Sequence, residues 1–207
     1  MKMTVVITMA GLGSRFRKAG YKMPKYQIEA HGRTLFDWSM ESLKGFADPE
    51  NDYIFVVRKE DDAEEFIRSS CEKIGITNVT VIGIDYLTDG QATTAMLAKD
   101  VWDKESALMI YNIDTYVEAY EMKTEQIAGD GFIPCFHAPG DHWSFAKLDA
   151  NGKVVEVREK KVFPTTVHSV LIISRPVHCT NSFITNTIPA KKSWKRVKNM
   201  SHRFTIT

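Results

Sequence analysis

Four short apolar runs, separated by segments with the helical period, limit the folds open to this chain more than any other feature. Met3–Met9 reads M-T-V-V-I-T-M, β-branched and almost without polar alternation, as in a strand buried on both faces of a parallel sheet. Tyr53–Val57, Val79–Ile84 and Ala107–Ile113 have the same character. Between them, Thr34–Phe46 places Leu35, Trp38, Ser39-Met40 and Leu43 at helical spacing. Thr34 stands at its N-cap, with Asp37 in the capping-box position usually filled by Glu or Gln. Asp61–Ile74 is an amphipathic helix closed by Gly75, and Asp89-Gly90-Gln91 opens a helix over Ala92–Val101. Strands alternating with helices predict a doubly wound α/β sheet that binds ligands at the carboxyl ends of its strands. After about residue 130 the pattern becomes Phe132–His137, Ser144–Leu148 and Val154–Arg158, with a hairpin turn at Asn151-Gly152. That segment predicts a small antiparallel β addition carrying an acceptor pocket. The expected domain covers residues 1–161, in two parts over about 1–115 and about 116–161.

Composition narrows the class. The chain has 207 residues, which suits one domain with or without an appendage. An aromatic content of 11% excludes general disorder. No run of 18 apolar residues is present, so no transmembrane helix and no membrane partner are expected. The N-terminus lacks the features of a signal peptide and reads as part of the fold. Cys71, Cys135 and Cys179 form neither a disulfide framework nor a zinc spacing, so a reducing cytoplasm is the expected compartment. Charge is split unevenly. Residues 1–161 hold 20 basic and 26 acidic side chains, whereas 162–207 hold 7 basic and none acidic. A stretch of that length ordinarily carries about 7 acids. The tail reads as a basic surface, as a nucleic-acid arm, or as residues that are not the fold's own C-terminus. It has no patterned aromatic platform, so no nucleic-acid partner is expected.

Four constellations could carry chemistry. In Met9-Ala10-Gly11-Leu12-Gly13-Ser14-Arg15-Phe16, glycines follow the first strand directly and would let backbone N–H groups approach phosphates. Arg15, and Lys25 of Met23-Pro24-Lys25, would add positive charge on a triphosphate. The plain alternative is a tight turn that needs glycine for its own geometry. Phe16 stands where the dinucleotide fingerprint needs Gly, and Arg58-Lys59 stands where an NAD site needs an acid. An NADP-dependent oxidoreductase tolerates Arg58 and remains a rival. A Walker A motif is absent. The second constellation, Leu87 to Ala95, offers Gly90 and Gln91 to a nucleobase edge, or is an ordinary capped helix start. In Tyr111-Asn112-Ile113-Asp114, a carboxylate ends a buried strand and suits magnesium, which takes one or two carboxylates plus phosphate oxygens and water. Its alternative is a cap on the next turn. The fourth pairs Asp141–Lys147 with Val157–Lys161, as an acceptor site or a solvated edge.

In this order and spacing the motifs resemble the nucleotidyltransferases of the Rossmann-like, GT-A-like α/β fold, especially the bacterial sugar-phosphate and capsule-type members. The likeness rests on Met9–Phe16, Gly20-Tyr21 to Lys25, Asp89–Thr94, Asn112–Asp114, Trp143–Phe145 and Glu156–Lys160, and spans about residues 3–161. It implies transfer of a nucleoside monophosphate from an NTP to a sugar phosphate or similar acceptor, for surface polysaccharide precursors. It implies that Ala10, Gly11, Leu12 and Gly13, with Arg15, hold the triphosphate, and that Lys25 neutralises its α-phosphate region. Gly90 and Gln91 would face the base, Asp114 would bind Mg²⁺, and Trp143, Glu159 and Lys160 would contact the acceptor. CTP, UTP or dTTP is the implied nucleotide, and an oligomer is compatible. Tyr26-Gln27 departs from the Pro-Leu of many members, a difference that bears on the acceptor.

The resemblance stops at residue 161. Members continue into another strand, a helix and a late E-K-Y-V-A-P-L-Y-N stretch. Back-translating residues 162–207 and reading one base earlier permits S-I-S-D-N-C-T-L-G-A-Y-Y-F and an ending E-K-Y-V-A-P-L-Y-N-Y. The single codons of Trp194 and Met200 fit that reading. A slip in the A-rich codons of Glu159-Lys160-Lys161 would explain the missing acids. The expected consequence is a weakened or inactive enzyme with a partly disordered or improvised C-terminus, or a non-catalytic nucleotide-binding remnant.

Overall fold

A computed structural model describes residues 1–127, 131–136, 144–151, 154–159, 167–169, 172–174 and 204–205. The elements follow the alternation of the sequence. They are β1 (Met3–Thr8), α1 (Ser14–Lys18), β2 (Glu29–Ala30), β3 (Arg33–Thr34), α2 (Leu35–Glu41), β4 (Asp52–Arg58), α3 (Glu64–Lys73), β5 (Val79–Ile84), α4 (Gln91–Met96) and β6 (Ala107–Asn112). The later strands are β7 (Gly131–Phe132), β8 (Cys135–Phe136), β9 (Ser144–Leu148), β10 (Val154–Glu159), β11 (Val167–Ser169), β12 (Ile172–Ser174) and β13 (Phe204–Thr205).

The main sheet runs β13-β7-β12-β6-β1-β4-β5. β6, β1, β4 and β5 are parallel, in a register that sets Thr8 opposite both Val56 and Asn112. β12 adds antiparallel to β6, and a second sheet, β10-β9-β11-β8, forms the antiparallel addition. Three segments of the basic tail, 167–169, 172–174 and 204–205, therefore take strand positions.

Period-two alternation sends neighbouring side chains of β1 into different layers. Val5, Ile7 and Met9 pack with Phe36, Met40 and Leu43 and with Ile67 and Cys71 of α3. Val6 and Ala10 pack with Ile54, Val56, Ala95, Ala98 and Trp102 on the other face. Both faces of the parallel strands are thus covered, which is why those runs are apolar throughout.

Local chemistry sets the boundaries. At the head of α2, the Asp37 N–H donates to Thr34 Oγ1 at 3.1 Å and the Thr34 N–H donates to Asp37 Oδ2 at 3.2 Å, a complete capping box. The helix stops at Glu41, short of the expected Phe46, and a 3₁₀ turn covers Lys44–Phe46. There Gly45 lies under the Met122 carbonyl, and a Cβ at that position would come within 1.9 Å of it. α4 is likewise shorter than the expected Ala92–Val101, and i→i+3 bonds such as Ala98 N–H to Ala95 O continue the chain as turns. α3 begins at Glu64, later than the expected Asp61, because Lys59–Asp61 forms a separate 3₁₀ turn closed by Asp62 at φ 44°, and it ends as expected, with Gly75 at φ 80°. The expected strand Phe132–His137 divides between two sheets around Ile133-Pro134, since proline has no N–H for a ladder. His137 lies outside the described residues.

Candidate active site

The chain visits β1, β4 and β5 on one side and then crosses to β6 on the other side of β1. The loops leaving β1 and β6 therefore diverge, and a crevice opens between their carboxyl ends. Two of the sequence motifs occupy that crevice.

Met9 is buried, and its N–H donates to the Val56 carbonyl at 2.8 Å, so the loop starts from a fixed point. Ala10 is buried against α4, which leaves its backbone alone to face a ligand. Gly11 and Leu12 are exposed. Gly13 has φ 58° and ψ 30°, a left-handed conformation that suits glycine. Its carbonyl accepts the N–H groups of Phe16 at 2.9 Å and Arg17 at 3.1 Å and so starts α1. Arg15 is exposed on that helix with no ion-pair partner among the described residues.

Lys25 lies across this loop. A Cβ on Gly13 would stand 3.6 Å from Lys25 Cβ, and one on Gly11 would stand 3.9 Å from Lys25 Nζ. The ammonium donates to Asp114 Oδ2 at 2.7 Å, with the lysine side chain 17% exposed and the aspartate 50% exposed. Lys25 and Asp114 are 89 residues apart in sequence and belong to separate motifs, one suited to phosphate and the other to a cation. The turn that carries Asp114 is held from below. Buried Ser39 of α2 donates to the carbonyls of Ile113 at 2.6 Å and Thr115 at 2.7 Å, and Tyr111 Oη donates to the Thr115 carbonyl at 2.9 Å. Burial pushes the Tyr111 phenol up to about 12, so it remains a donor. In the sequence Ser39 stands only as part of a helix face, because its partners lie 74 and 76 residues away.

The loop after β4 closes the near side. Glu60 Oε1 accepts from Arg58 Nε at 2.9 Å and from Arg17 at 3.2 Å, and the Arg58 guanidinium foremost holds Glu60 below the ordinary carboxylate range. Arg58 is only 12% exposed in that pair. Asp61 accepts from Tyr26 Oη at 3.1 Å. Tyr26 itself is buried against Phe36 and Phe66 of the core. Its departure from Pro-Leu therefore serves packing and the bond to Asp61. A cavity of about 10 Å³, room for one water, lies among Gly11, Gly13, Lys25, Tyr26 and Asp61.

Gly90 and Gln91 follow β5, whose carboxyl end lies on the same sheet edge. The Gly90 carbonyl accepts the Thr94 N–H at 3.0 Å and Thr94 Oγ1 at 2.9 Å. Gln91 is half-buried at the helix start, and its amide has no hydrogen bond among the described residues. Glu159 ends β10, its backbone paired in register with Ser144. Trp143 and Lys160 lie outside the described residues. The structure thus brings together the glycine loop, Lys25 and Asp114, with Gly90 and Gln91 on the same edge. Asp114 fits a magnesium site of the kind that takes one carboxylate and completes its shell with phosphate and water. Among the described residues no cluster of three or more His, Cys, Asp or Glu could hold a metal.

Solved structures share this architecture. A nucleoside-diphosphate-sugar pyrophosphorylase from Vibrio cholerae RC9 superposes with a TM-score of 0.79 at 28% identity, over 98% of this chain and 91% of that one. The chain has the GT-A-like nucleotidyltransferase fold. An inositol-1-phosphate CTP transferase from T. maritima shares that fold with a TM-score of 0.74 at 12% identity, over 100% and 84% of the two chains. A Bacillus anthracis protein described as a glucose-1-phosphate thymidylyltransferase gives a TM-score of 0.69 at 17% identity, over 91% and 76%. No protein-family model matches this GT-A-like chain. No curated protein matches it either.

Proposed function

We propose that the chain transfers a nucleoside monophosphate from an NTP to a small phosphorylated acceptor, a sugar phosphate or similar, and releases pyrophosphate. The observation that carries this reading is the Lys25–Asp114 pair, closed at 2.7 Å across the glycine loop between β1 and β6. A cation and an acid held there by separate elements are the groups that a triphosphate with a divalent ion requires. The neighbours named above act, by their descriptions, on nucleoside-diphosphate sugars or with CTP, and CTP, UTP and dTTP are the nucleotides to try first.

In this reading an acceptor phosphate oxygen forms a bond to the α-phosphorus. The bond from that phosphorus to the α–β bridging oxygen breaks, and its electron pair leaves with pyrophosphate. No general base is needed, because the attacking oxygen is already anionic. The work of the protein is positioning and charge neutralisation. Lys25 and Arg15 neutralise the triphosphate, Gly11 and Gly13 let it approach the backbone, and Gln91 offers its unpaired amide to the base. Asp114 would hold Mg²⁺, which supplies charge neutralisation on the phosphates when bound. Glu159, Lys160 and Trp143 would contact the acceptor. The rival NADP-dependent reading loses support because Arg58 is tied to Glu60, an acid poorly placed beside a 2′-phosphate.

The test is pyrophosphate release with magnesium over CTP, UTP, dTTP, ATP and GTP, each with a panel of sugar and polyol phosphates. Acceptor-dependent release supports the reading. Nucleotide binding without release from any pair would mark a non-catalytic remnant, and NADPH binding in place of NTP would overturn the reading. Supply of surface-polysaccharide precursors, in the cytoplasm, is the role such an activity would serve.

A further inference from the structure

One buried acid near the site has no part in the scheme above. Asp61 sits at the end of the 3₁₀ turn Lys59–Asp61 that follows β4, and its side chain is only 7% exposed. Its two oxygens face two different segments. Oδ2 accepts from Tyr26 Oη at 3.1 Å, and Oδ1 stands 4.0 Å from the Arg17 guanidinium. Tyr26 belongs to the 3₁₀ turn Lys25–Gln27, next to the ammonium that crosses the glycine loop. Arg17 belongs to α1, two residues from Arg15. α1 buries no residue of its own, so packing does little to hold it. Asp61 and its neighbour Glu60 are its side-chain attachments to the body of the sheet among the described residues. Asp61 also lines the small cavity beneath Gly11, Gly13 and Lys25.

We propose that Asp61 is a positioning residue for nucleotide binding, its buried carboxylate fixing the Lys25 segment through Tyr26 and the Arg15 helix through Arg17. The role rests on the nucleotidyltransferase reading for its consequence, but not for its geometry. Arg15 follows the glycine loop on α1 and Lys25 lies against that loop, and two cations serve one triphosphate only when their separation is fixed. A single buried acid that accepts a hydrogen bond from Tyr26 and lies at ion-pair distance from Arg17, beside the Glu60 that bonds Arg17 directly, fixes it. Burial, the largest effect on Asp61, raises its carboxyl above the usual aspartate range, with Glu60 adding to the shift and Tyr26, Arg17 and Arg58 opposing it. Holding a charge there costs the fold stability, as expected for a group kept for function.

The experiment compares the full-length chain with Asp61→Asn, Asp61→Ala, Tyr26→Phe and the double variant Tyr26→Phe/Asp61→Ala. Hydrogen exchange is read at the N–H groups of Phe16, Arg17, Gln27 and Ile28, each bonded within these two segments. Asp61→Ala is expected to speed exchange in both segments by about tenfold, and Tyr26→Phe only around Gln27. Asp61→Asn keeps an acceptor for Tyr26, so the 25–28 region should stay close to wild type. It should not lower Tm, because it removes a buried charge. In kinetics, Tyr26→Phe and Asp61→Ala should raise KM for the NTP about tenfold with kcat changed less, and the double variant should be no worse than Asp61→Ala. Unchanged exchange in both segments, or strictly additive losses in the double variant, would overturn the role. A wild-type chain that binds no NTP would instead sink the proposed function, while exchange still reports on Asp61.

Discussion

At the residue scale, Lys25 and Asp114 decide the account, and the same pair separates function from stability. Asp114 is half exposed, so Asp114→Asn should cost the fold less than about 1 kcal/mol, as for other solvated ion pairs. Its activity should nevertheless fall roughly 10²–10³-fold, since it would remove the acid from the crevice and leave Lys25 without its partner. Lys25→Ala should lose a similar factor in kcat/KM. Parallel measurement of Tm and pyrophosphate release checks both. The two residues could be read from sequence because each closes a local pattern, a glycine turn or a buried strand. Their contact could not, and neither could Ser39, whose hydroxyl looks like a break in an apolar face until the carbonyls of Ile113 and Thr115 meet it.

At the element scale, α2 is the platform under the Asp114 turn, and its capping box fixes where it begins. Thr34→Ala should cost about 1 kcal/mol and lower Tm by a few degrees in thermal melts. KM for nucleotide should not change, because the cap bonds lie between Thr34 and Asp37 and involve neither Lys25 nor Asp114. Glu41, at the end of α2, bonds Arg33 of the β2–β3 hairpin, and Arg33 foremost, with Lys44, lowers its carboxyl pKa. A carboxyl lowered on folding stabilises above its unfolded pKa, and that contribution fades as pH falls through the folded value. Wild type should therefore lose more Tm than Glu41→Gln on titration from pH 6 to pH 3. The strands of contiguous apolar residues were legible to within a residue, and the starts of α2 and α4 likewise, whereas α3 began three residues late. α2 and α4 ended early, α2 ahead of a turn in which Gly45 lies beneath the Met122 carbonyl and α4 in i→i+3 turns. Pro134 was visible in the sequence, but its division of one strand between two sheets was not.

At the scale of the whole molecule, strand order matters more than any single residue. Placing β6 beside β1 opens the crevice, and two motifs then meet without any sequence signal for their contact. The strands after residue 130 were legible as hairpin-linked, and β9 and β10 pair as expected, but two of the three proposed acceptor contacts, Trp143 and Lys160, lie outside the described residues. The basic tail is the other molecule-scale feature. We infer that residues 162–207 arose from a one-base slip near Glu159–Lys161. The coding DNA should therefore restore the family ending when one base is shifted there, and the frame-restored chain should be the more active in the pyrophosphate assay. A coding sequence that permits no such ending would refute the slip.

Transfer of isotope from labelled NTP tests the central claim most directly. With magnesium and a competent phospho-acceptor, label at the α-phosphate should appear in the acceptor product and label at the γ-phosphate in pyrophosphate, and Asp114→Asn should slow both by roughly 10²–10³-fold. Label from the γ-phosphate in the acceptor, or no acceptor-dependent transfer with any of the five nucleotides, would contradict it.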